Sequence, residues 1–275
     1  MSKVMKAVVL GGSGMIGSIV VRRLRASGIE VVAASRRSGV DTMTGVGLEA
    51  AFSGADVVVD TSDVHSFDEA TLREFFSVSG ENVSKAERQA GVRHHVTLSI
   101  VGVDQLPGNP YYKDKFAQEN VARASGISST IVRSAQFFEF LPTIAGGFTK
   151  GAAVNPPDAL LQPIAAENVG EILADVAVGQ TVESLLQIAG PERASIGDWL
   201  ERAFAVTNDD RSVVVDRDAT WFGAPLEQGS LVPTHPDRVG TTLFSEWTST
   251  SEAKRVLGSN RYAEASVDLA KQVAK

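Results

Sequence analysis

The chain has 275 residues, 43% hydrophobic and 21% charged, with a formal net charge of −7 and no cysteine. Such a composition is globular and long enough to bury a core without staples. The missing thiols exclude cysteine nucleophiles, disulfides and cysteine-based zinc sites, and the acidic balance argues against a nucleic-acid partner, whose phosphates need a basic face.

The apolar run Ala7–Leu10 is too short for the core of a secretory signal. No window approaches the ~18 consecutive apolar residues that a membrane span needs. The expectation is therefore no membrane association and a cytoplasmic location.

Lys6–Leu10 predicts a first strand. Met15–Ser27 predicts a helix, because Ile16, Ile19, Val20 and Leu24 recur at helical spacing while Arg22, Arg23 and Arg25 fall outside. Gly28 closes it. Glu30–Ala34 is the second strand, Leu48–Phe52 a short helix closed by Gly54, and Asp56–Asp60 the third strand. Glu69–Ala90 reads as a long helix stopped by Gly91, with Gly80 in its polar middle marking a kink or a packing site. His95–Val101 and Ser129–Val132 are the fourth and fifth strands. The helix Tyr111–Ala124 lies between them and ends at Gly126.

Strands alternating with helices predict βαβ units and a parallel sheet covered on both faces. Right-handed crossovers then give an α/β, Rossmann-like, doubly wound sheet. Beyond about Phe140 the rhythm loosens. Helices are expected over Glu167–Val178, Ile196–Ala205, Glu252–Leu257 and Ala263–Val273, and strands over Ser184–Ala189 and Ser212–Asp216. Phe222–Asp237 holds three prolines and two glycines and reads as irregular. The expected organisation is a nucleotide-binding domain over residues 1–150. A smaller C-terminal substrate region over 151–275, interleaved with the sheet, would cover its ligand edge.

The sequence Gly11-Gly12-Ser13-Gly14-Met15-Ile16-Gly17 follows a strand and opens a helix. Gly11 and Gly12 permit a tight turn, Gly14 lets backbone approach a pyrophosphate, and Gly17 lets helix pack on strand. Free N–H groups at the helix start then face the anion. A P-loop is excluded, since no Gly-Lys-Ser/Thr follows. The pattern predicts a bound dinucleotide.

An NAD site places a carboxylate at the end of the second strand to bind the ribose 2′-hydroxyl. Here that place reads Ser35-Arg36-Arg37-Ser38. Arg36 or Arg37 suits a 2′-phosphate, with serine hydroxyls beside them, so NADP(H) is expected over NAD(H). Thr61 and Ser62 follow the third strand, where ligand crevices form, and are candidate adenosine contacts; a capped turn is the rival reading.

Tyr111 and Lys115 are spaced i, i+4 and share one helix face. An ammonium beside a phenol favours its ionised form, and such a tyrosine can pass a proton to a carbonyl oxygen as hydride arrives. Lys115 is also placed to hold the nicotinamide ribose. Ser99, near the end of the fourth strand, is a candidate for orienting the same carbonyl. The rival reading makes Lys115 and Glu119 a surface ion pair and packs both Tyr111 and Tyr112 against the second region.

These residues, with the run Thr130–Glu139 and with Pro163–Val169, make the chain resemble the short-chain dehydrogenase/reductase superfamily, and more narrowly its NmrA-like, isoflavone-reductase-like branch. The resemblance covers nearly the whole chain and is weakest beyond residue 205. It implies an NADP(H)-binding Rossmann domain, a small substrate domain, and a segment matching Ser134–Phe137, including Gln136, beside the nicotinamide. Members of that branch often keep the lysine and lose the tyrosine, and some only sense the cofactor's redox state.

His65, His94, His95 and His235 show no ligand spacing, so no metal is expected. Phe137, Phe138 and Phe140 near Pro142 read equally as a flat apolar pocket or as interface packing. Trp199 fits a helix core; Trp221 and Trp247 read as pocket walls or a subunit contact. The leading expectation is an NADP(H)-dependent oxidoreductase acting on a small carbonyl, quinone or enone compound, as a monomer or homodimer. A non-catalytic NADP(H) sensor and a nucleotide-sugar epimerase are the alternatives.

Overall fold

The computed structural model describes residues 4–64, 66, 68–181 and 183–258. The helix expected over Ala263–Val273 and the side chain of His65 lie outside them.

The first half follows the expected alternation. The strands are β1 (Lys6–Leu10), β2 (Glu30–Ala34), β3 (Val57–Asp60), β4 (His94–Ile100) and β5 (Ser128–Ser134). The helices are α1 (Met15–Ala26), α2 (Leu48–Phe52), α3 (Glu69–Ala90) and α4 (Pro110–Ala124). Next come α5 (Leu141–Gly147), the short strands β6 (Thr149–Lys150), β7 (Ala153–Val154) and β8 (Leu160–Leu161), and α6 (Ala166–Val178). The chain continues through β9 (Ser184–Ala189), β10 (Ala194–Ser195), α7 (Ile196–Thr207), β11 (Ser212–Val213) and β12 (Arg238–Val239), and closes with α8 (Phe244–Thr248) and α9 (Ser251–Gly258).

Seven strands form one parallel sheet in the order β12-β9-β5-β4-β3-β1-β2. From β1 the chain crosses outward to β2 and then back past β1 to β3. The carboxyl ends of β1 and β3 therefore flank a topological switch point, where open α/β sheets bind their ligands.

Both faces are covered. Val20 and Leu24 of α1 and Val169 and Leu173 of α6 share a core with Val9, Val59 and Val96. Phe52 of α2 and Val83 and Ala86 of α3 pack on Val8, Leu10 and Val58 opposite. A third core is aromatic: Phe138, Trp199, Trp221, Phe244 and Trp247 close on Leu141, Ile144 and Leu161. It draws Val103, Leu106 and Tyr112 from before residue 150, while α6 and β9 return to the central sheet. Residues from both halves of the chain thus share these cores.

Several boundaries shift for local reasons. Helix α4 begins at Pro110, because Asn109 caps it by accepting the Tyr112 amide and proline suits the first helical position. Strand β4 begins at His94, one residue early. His94 Nε2 bonds Thr130 Oγ1 of β5 at 2.9 Å and His95 Nδ1 bonds Glu87 of α3 at 2.5 Å, so both histidines are buried and partnered, one within the sheet and one to a helix. Helix α3 runs unbroken through Gly80, which packs on Val121 of α4. Trp199 is fully buried on α7 as expected. The expected strand Ser212–Asp216 shrinks to β11, and β12 at the sheet edge had no periodic signal.

The closest approach of α1 and α6 runs over Gly170. A Cβ there would lie 2.4 Å from Ile19 Cγ2 and 2.7 Å from Ile19 Cβ, so the helices themselves must part. Gly170→Ala is expected to cost about 1–3 kcal/mol of overpacking, read as a lower urea midpoint. An unchanged midpoint would show that α1 and α6 are not locked at this contact.

Candidate functional site

The glycine turn is packed from below and open from above. Gly11 has φ +70°, and a Cβ there would lie 2.7 Å from the Thr61 carbonyl oxygen. A Cβ at Gly12 would meet the Val9 carbonyl at 2.8 Å, and at Gly17 the Gly11 carbonyl at 2.2 Å. These three glycines and Ile16, a core residue, let the turn settle on β1, β2 and β3. Gly14 differs. Its added Cβ would meet only the Gly11 carbonyl, at 3.1 Å. Ser13, Gly14 and Met15 line a cleft of about 1050 Å³.

Gly14 is the N-cap of α1, and no side chain caps the helix. No acidic residue stands in its first turn either. The first amides of a helix lack intrahelical acceptors and carry its positive dipole end. Leaving them uncapped toward a cleft fits a bound diphosphate.

At the end of β2, Arg37 Nη2 donates to the Ser13 carbonyl at 3.0 Å, which ties this corner to the glycine turn. Arg36 is exposed, and its guanidinium makes no hydrogen bond or ion pair among the described residues. The Ser35 amide donates to Ser38 Oγ at 2.9 Å, shaping the turn that presents both arginines. After β3, Thr61 and Ser62 line the cleft. Their hydroxyls are engaged, Thr61 with the Leu10 carbonyl at 2.7 Å and Ser62 with Asp60 at 2.5 Å.

Tyr111 and Lys115 both face the cleft. The Tyr111 ring packs edge-on against Phe76, 5.9 Å between centroids, and the Lys115 ammonium stands 5.0 Å over the same ring. Tyr111 donates its hydroxyl to Asp63 at 2.9 Å. Lys115 is buried, and its ammonium makes no hydrogen bond or ion pair among the described residues. Such a group keeps its donors for a ligand, because an unsatisfied buried ammonium is costly.

The rival surface pair between Lys115 and Glu119 is not what the structure holds. Glu119 is fully buried and accepts from Arg133 at 2.8 and 2.9 Å, from Arg123 at 2.9 Å and from Ser99 at 2.5 Å. Ser99 borders the cleft, yet its hydrogen goes to Glu119 behind it. Tyr112 turns into the aromatic lobe, where its hydroxyl accepts from Gln136 at 2.8 Å and Trp221 Nε1 at 3.2 Å. Burial drives its phenol far above the ordinary value, against the pull of the Trp221 and Gln136 hydrogen bonds. It therefore stays protonated.

Ser134, Gln136 and Phe137 line the cleft on the β5 side. Beyond them Phe140, Pro142, Trp221, Phe222 and Trp247 form an apolar wall. Trp221 and Trp247 thus serve the aromatic core and the cleft at once.

Sequence reasoning passed over Asp63, Arg22 and Glu139 as site residues. Arg22 and Arg23 clasp Glu167 at the start of α6, at 2.5 and 2.8 Å. Burial works to raise the Glu167 carboxyl, and the two guanidiniums outweigh it, so the net is a lowering. Glu139 accepts from the Ala166 amide at 3.2 and 3.3 Å, and Trp247 hydrogen-bonds it as well. Burial pushes its carboxyl up to about 7, with Glu252 adding repulsion. The one signal in the sequence was its place at the end of the Thr130–Glu139 run.

Residues 11–177 match a family model described as NAD(P)H-binding. The chain belongs to that family. The NmrA-like resemblance of its sequence is thereby established, with a Rossmann-like α/β fold to carry it. A curated relative is the photosystem II assembly factor Ycf39 of Synechocystis sp., 26% identical over 151 residues, 50% of this chain and 46% of that protein. The aligned stretch thus spans about half the length of that relative. Among solved structures, the UDP-glucose 4-epimerase of Thermus thermophilus in complex with NAD is 16% identical at a TM-score of 0.60 and covers 94% of this chain and 99% of that one. A dTDP-4-dehydrorhamnose reductase of Clostridium acetobutylicum is 18% identical at 0.64, covering 97% and 100%. The Bacillus anthracis reductase of the same description, in complex with NADP, is 13% identical at 0.62, covering 94% and 98%. At such identities the likeness shows the shared fold.

Among the described residues no helix is long and apolar enough to cross a membrane, and no group of three or more His, Cys, Asp or Glu is arranged to hold a metal ion.

The raised carboxyl of this NAD(P)H-binding protein makes its stability depend on pH. Glu139 keeps its proton in the fold up to about 7, whereas the unfolded chain releases it near the ordinary 4.5. The fold binds more protons across that window, so this contribution declines as pH rises through it. Glu139→Gln cannot ionise. Its thermal midpoint relative to the parent is expected to climb as pH is raised from about 5 to about 8. A difference constant with pH would show that Glu139 titrates normally.

Proposed function

We propose that this chain is an NADP(H)-dependent oxidoreductase that passes hydride to or from a small carbonyl, quinone or enone compound. The observation that supports it most is that the Tyr111 phenol and a Lys115 ammonium with no hydrogen bond or ion pair among the described residues meet on one Phe76 ring, inside the cleft that opens at the uncapped start of α1. Bound reduced dinucleotide supplies the hydride.

The amides of Ser13 and Met15 hold the diphosphate. Arg36 receives the 2′-phosphate as a fork-shaped donor with no competing acid, while Arg37 holds the turn in place. Lys115 binds ribose hydroxyls. Tyr111 turns its hydroxyl from Asp63, its acceptor in the structure, to the substrate oxygen once substrate is bound. Ser134, Gln136 and Phe137 flank the nicotinamide. Ser99 acts through Glu119 to fix the floor of the site and does not touch substrate. The partner is a small molecule, and the cytoplasm is the compartment that suits a cysteine-free chain using this cofactor.

A second reading is a nucleotide-sugar epimerase, favoured by the likeness in fold to the NAD-bound epimerase across nearly its whole length. The two differ in retained cofactor and in turnover. The purified protein is expected to enhance NADPH fluorescence and to consume NADPH with a panel of quinones and aldehydes. Tightly retained NAD with conversion of a nucleotide sugar would instead establish the epimerase, and binding without turnover would leave a cofactor sensor.

Arg36→Ala is expected to weaken NADPH about tenfold or more, since a hydrogen bond to a charged group is worth about 1.5–3 kcal/mol, and to leave NADH unchanged. Equal loss for both dinucleotides would remove the 2′-phosphate assignment. Lys115→Met and Tyr111→Phe are each expected to lower kcat by about 100-fold, the scale of a lost proton-transfer or charge contribution. Unchanged turnover in Tyr111→Phe would remove it as the acid.

A further inference from the structure

The far end of the cleft holds a carboxyl that the reading above does not use. Glu139 sits on a single 3-10 turn, Phe138–Phe140, directly after β5. That turn is nailed down by Phe138, whose ring packs 5.1 Å from Phe244, 5.4 Å from Trp247 and 5.9 Å from Trp199. With Phe138 in the core, Phe137, Glu139 and Phe140 are the residues left to line the cleft. The Glu139 oxygens already accept from the Ala166 amide and from Trp247. A carboxyl so supplied with donors has one unspent group when protonated, its own O–H.

The charges around it decide what it can meet. Glu246 of α8 and Glu252 and Arg255 of α9 line the same end, and Glu167 of α6 adjoins it. Arg255 lies 3.5 Å from Glu252, and Glu167 is held by Arg22 and Arg23. Every described cation at this end is therefore already matched by a carboxylate. A nucleoside diphosphate would find no cation left unengaged by a carboxylate among the described residues here. A flat uncharged ring between Phe140 and Trp247 needs none.

Resting on the oxidoreductase reading, we propose that Glu139 contacts the substrate and protonates it, and that the substrate is an uncharged quinone whose second oxygen faces this carboxyl. For a quinone, hydride from the reduced dinucleotide becomes the hydrogen of a new O–H at the first oxygen, which Tyr111 orients while keeping its own proton, and the product is the two-electron-reduced monoanion. The negative charge resides on the oxygen at Glu139. There an O–H bond forms to the substrate as the Glu139 O–H breaks, giving hydroquinone and a carboxylate. Water restores the proton on Glu139. The elevated carboxyl, up to about 7, keeps this acid loaded near neutral pH, where a donor matched to the working pH is most effective.

The test uses full-length protein saturated with NADP⁺, and p-benzoquinone as the probe. Trp247 touches Glu139, so quenching of tryptophan fluorescence reports occupancy of this end. Quinone affinity is expected to fall about tenfold between pH ~6 and ~8.5 in the parent, as the O–H donor is lost, and to be flat in Glu139→Gln, which keeps a donor. With NADPH, Glu139→Gln is expected to keep KM and lose about 100-fold in kcat, as removal of a general acid does. UDP-glucose is expected not to quench. Three results would each overturn the assignment: pH-independent quinone binding in the parent, the same pH dependence in both proteins, or UDP-glucose binding tighter than quinone. Failure to bind NADP⁺ or NADPH at all would instead sink the oxidoreductase reading, so the two failures are distinguishable.

Discussion

The start of α1 is a helix end that the rest of the chain declines to satisfy. Its amides carry the positive end of the helix dipole, yet Gly14 offers no side-chain acceptor and the first turn has no acid. Other helices here are treated differently: Asn109 caps α4, Asp68 caps α3 and Ser195 caps α7. Uncapped donors at a switch point between β1 and β3 demand an anion from outside. The crowding below the turn enforces that arrangement. With Gly11, Gly12 and Gly17 pressed on Thr61, Val9, Ala33 and one another, the turn cannot sink or rotate away.

The second lobe depends on the first through shared elements. Strand β5 pairs with β4 and β9 in the sheet, and the chain then drops Phe138 into the aromatic core. Helix α4 does the same in reverse. Tyr111 and Lys115 look into the cleft, Tyr112 anchors in the second core, and Glu119 locks to Arg133 beneath the sheet. One helix therefore ties the lining of the cleft to the aromatic core. This is why a buried ion network with four donors on Glu119 is worth its desolvation: breaking one partner would leave a charge unpaired in the core.

Local pattern made the first half legible. Lys6–Leu10, Glu30–Ala34 and Leu48–Phe52 have the bounds that periodicity and terminal glycines suggest, and Asn109-Pro110 marks the α4 start once cap chemistry is considered. The phosphate turn was legible because each glycine answers a steric demand set by its neighbours. What resisted reading was set by tertiary contact. Ser99 looks like a substrate-facing hydroxyl until Glu119, twenty residues later, takes its hydrogen. Glu119 looks like a surface partner for Lys115 until Arg133 claims it. Glu139 closes the Thr130–Glu139 run with no role attached to it there; its character comes from burial and from Ala166, Trp247 and Glu252, which lie farther along the chain.

The cleft is therefore electrically two-ended. Toward α1 it offers amide donors and a Lys115 ammonium with no hydrogen bond or ion pair among the described residues, while exposed Arg36 stands outside the lining at the end of β2. Near α8 and α9 it offers aromatic faces and carboxyls whose cations are already engaged. A molecule with phosphates at one end and an uncharged ring at the other would lie along that gradient in one direction only. An anion finds unengaged donors toward α1, and no unengaged cation among the described residues beside Trp247. Substrate choice in such a site follows from where the chain leaves a charge unmatched as much as from the shape of the wall.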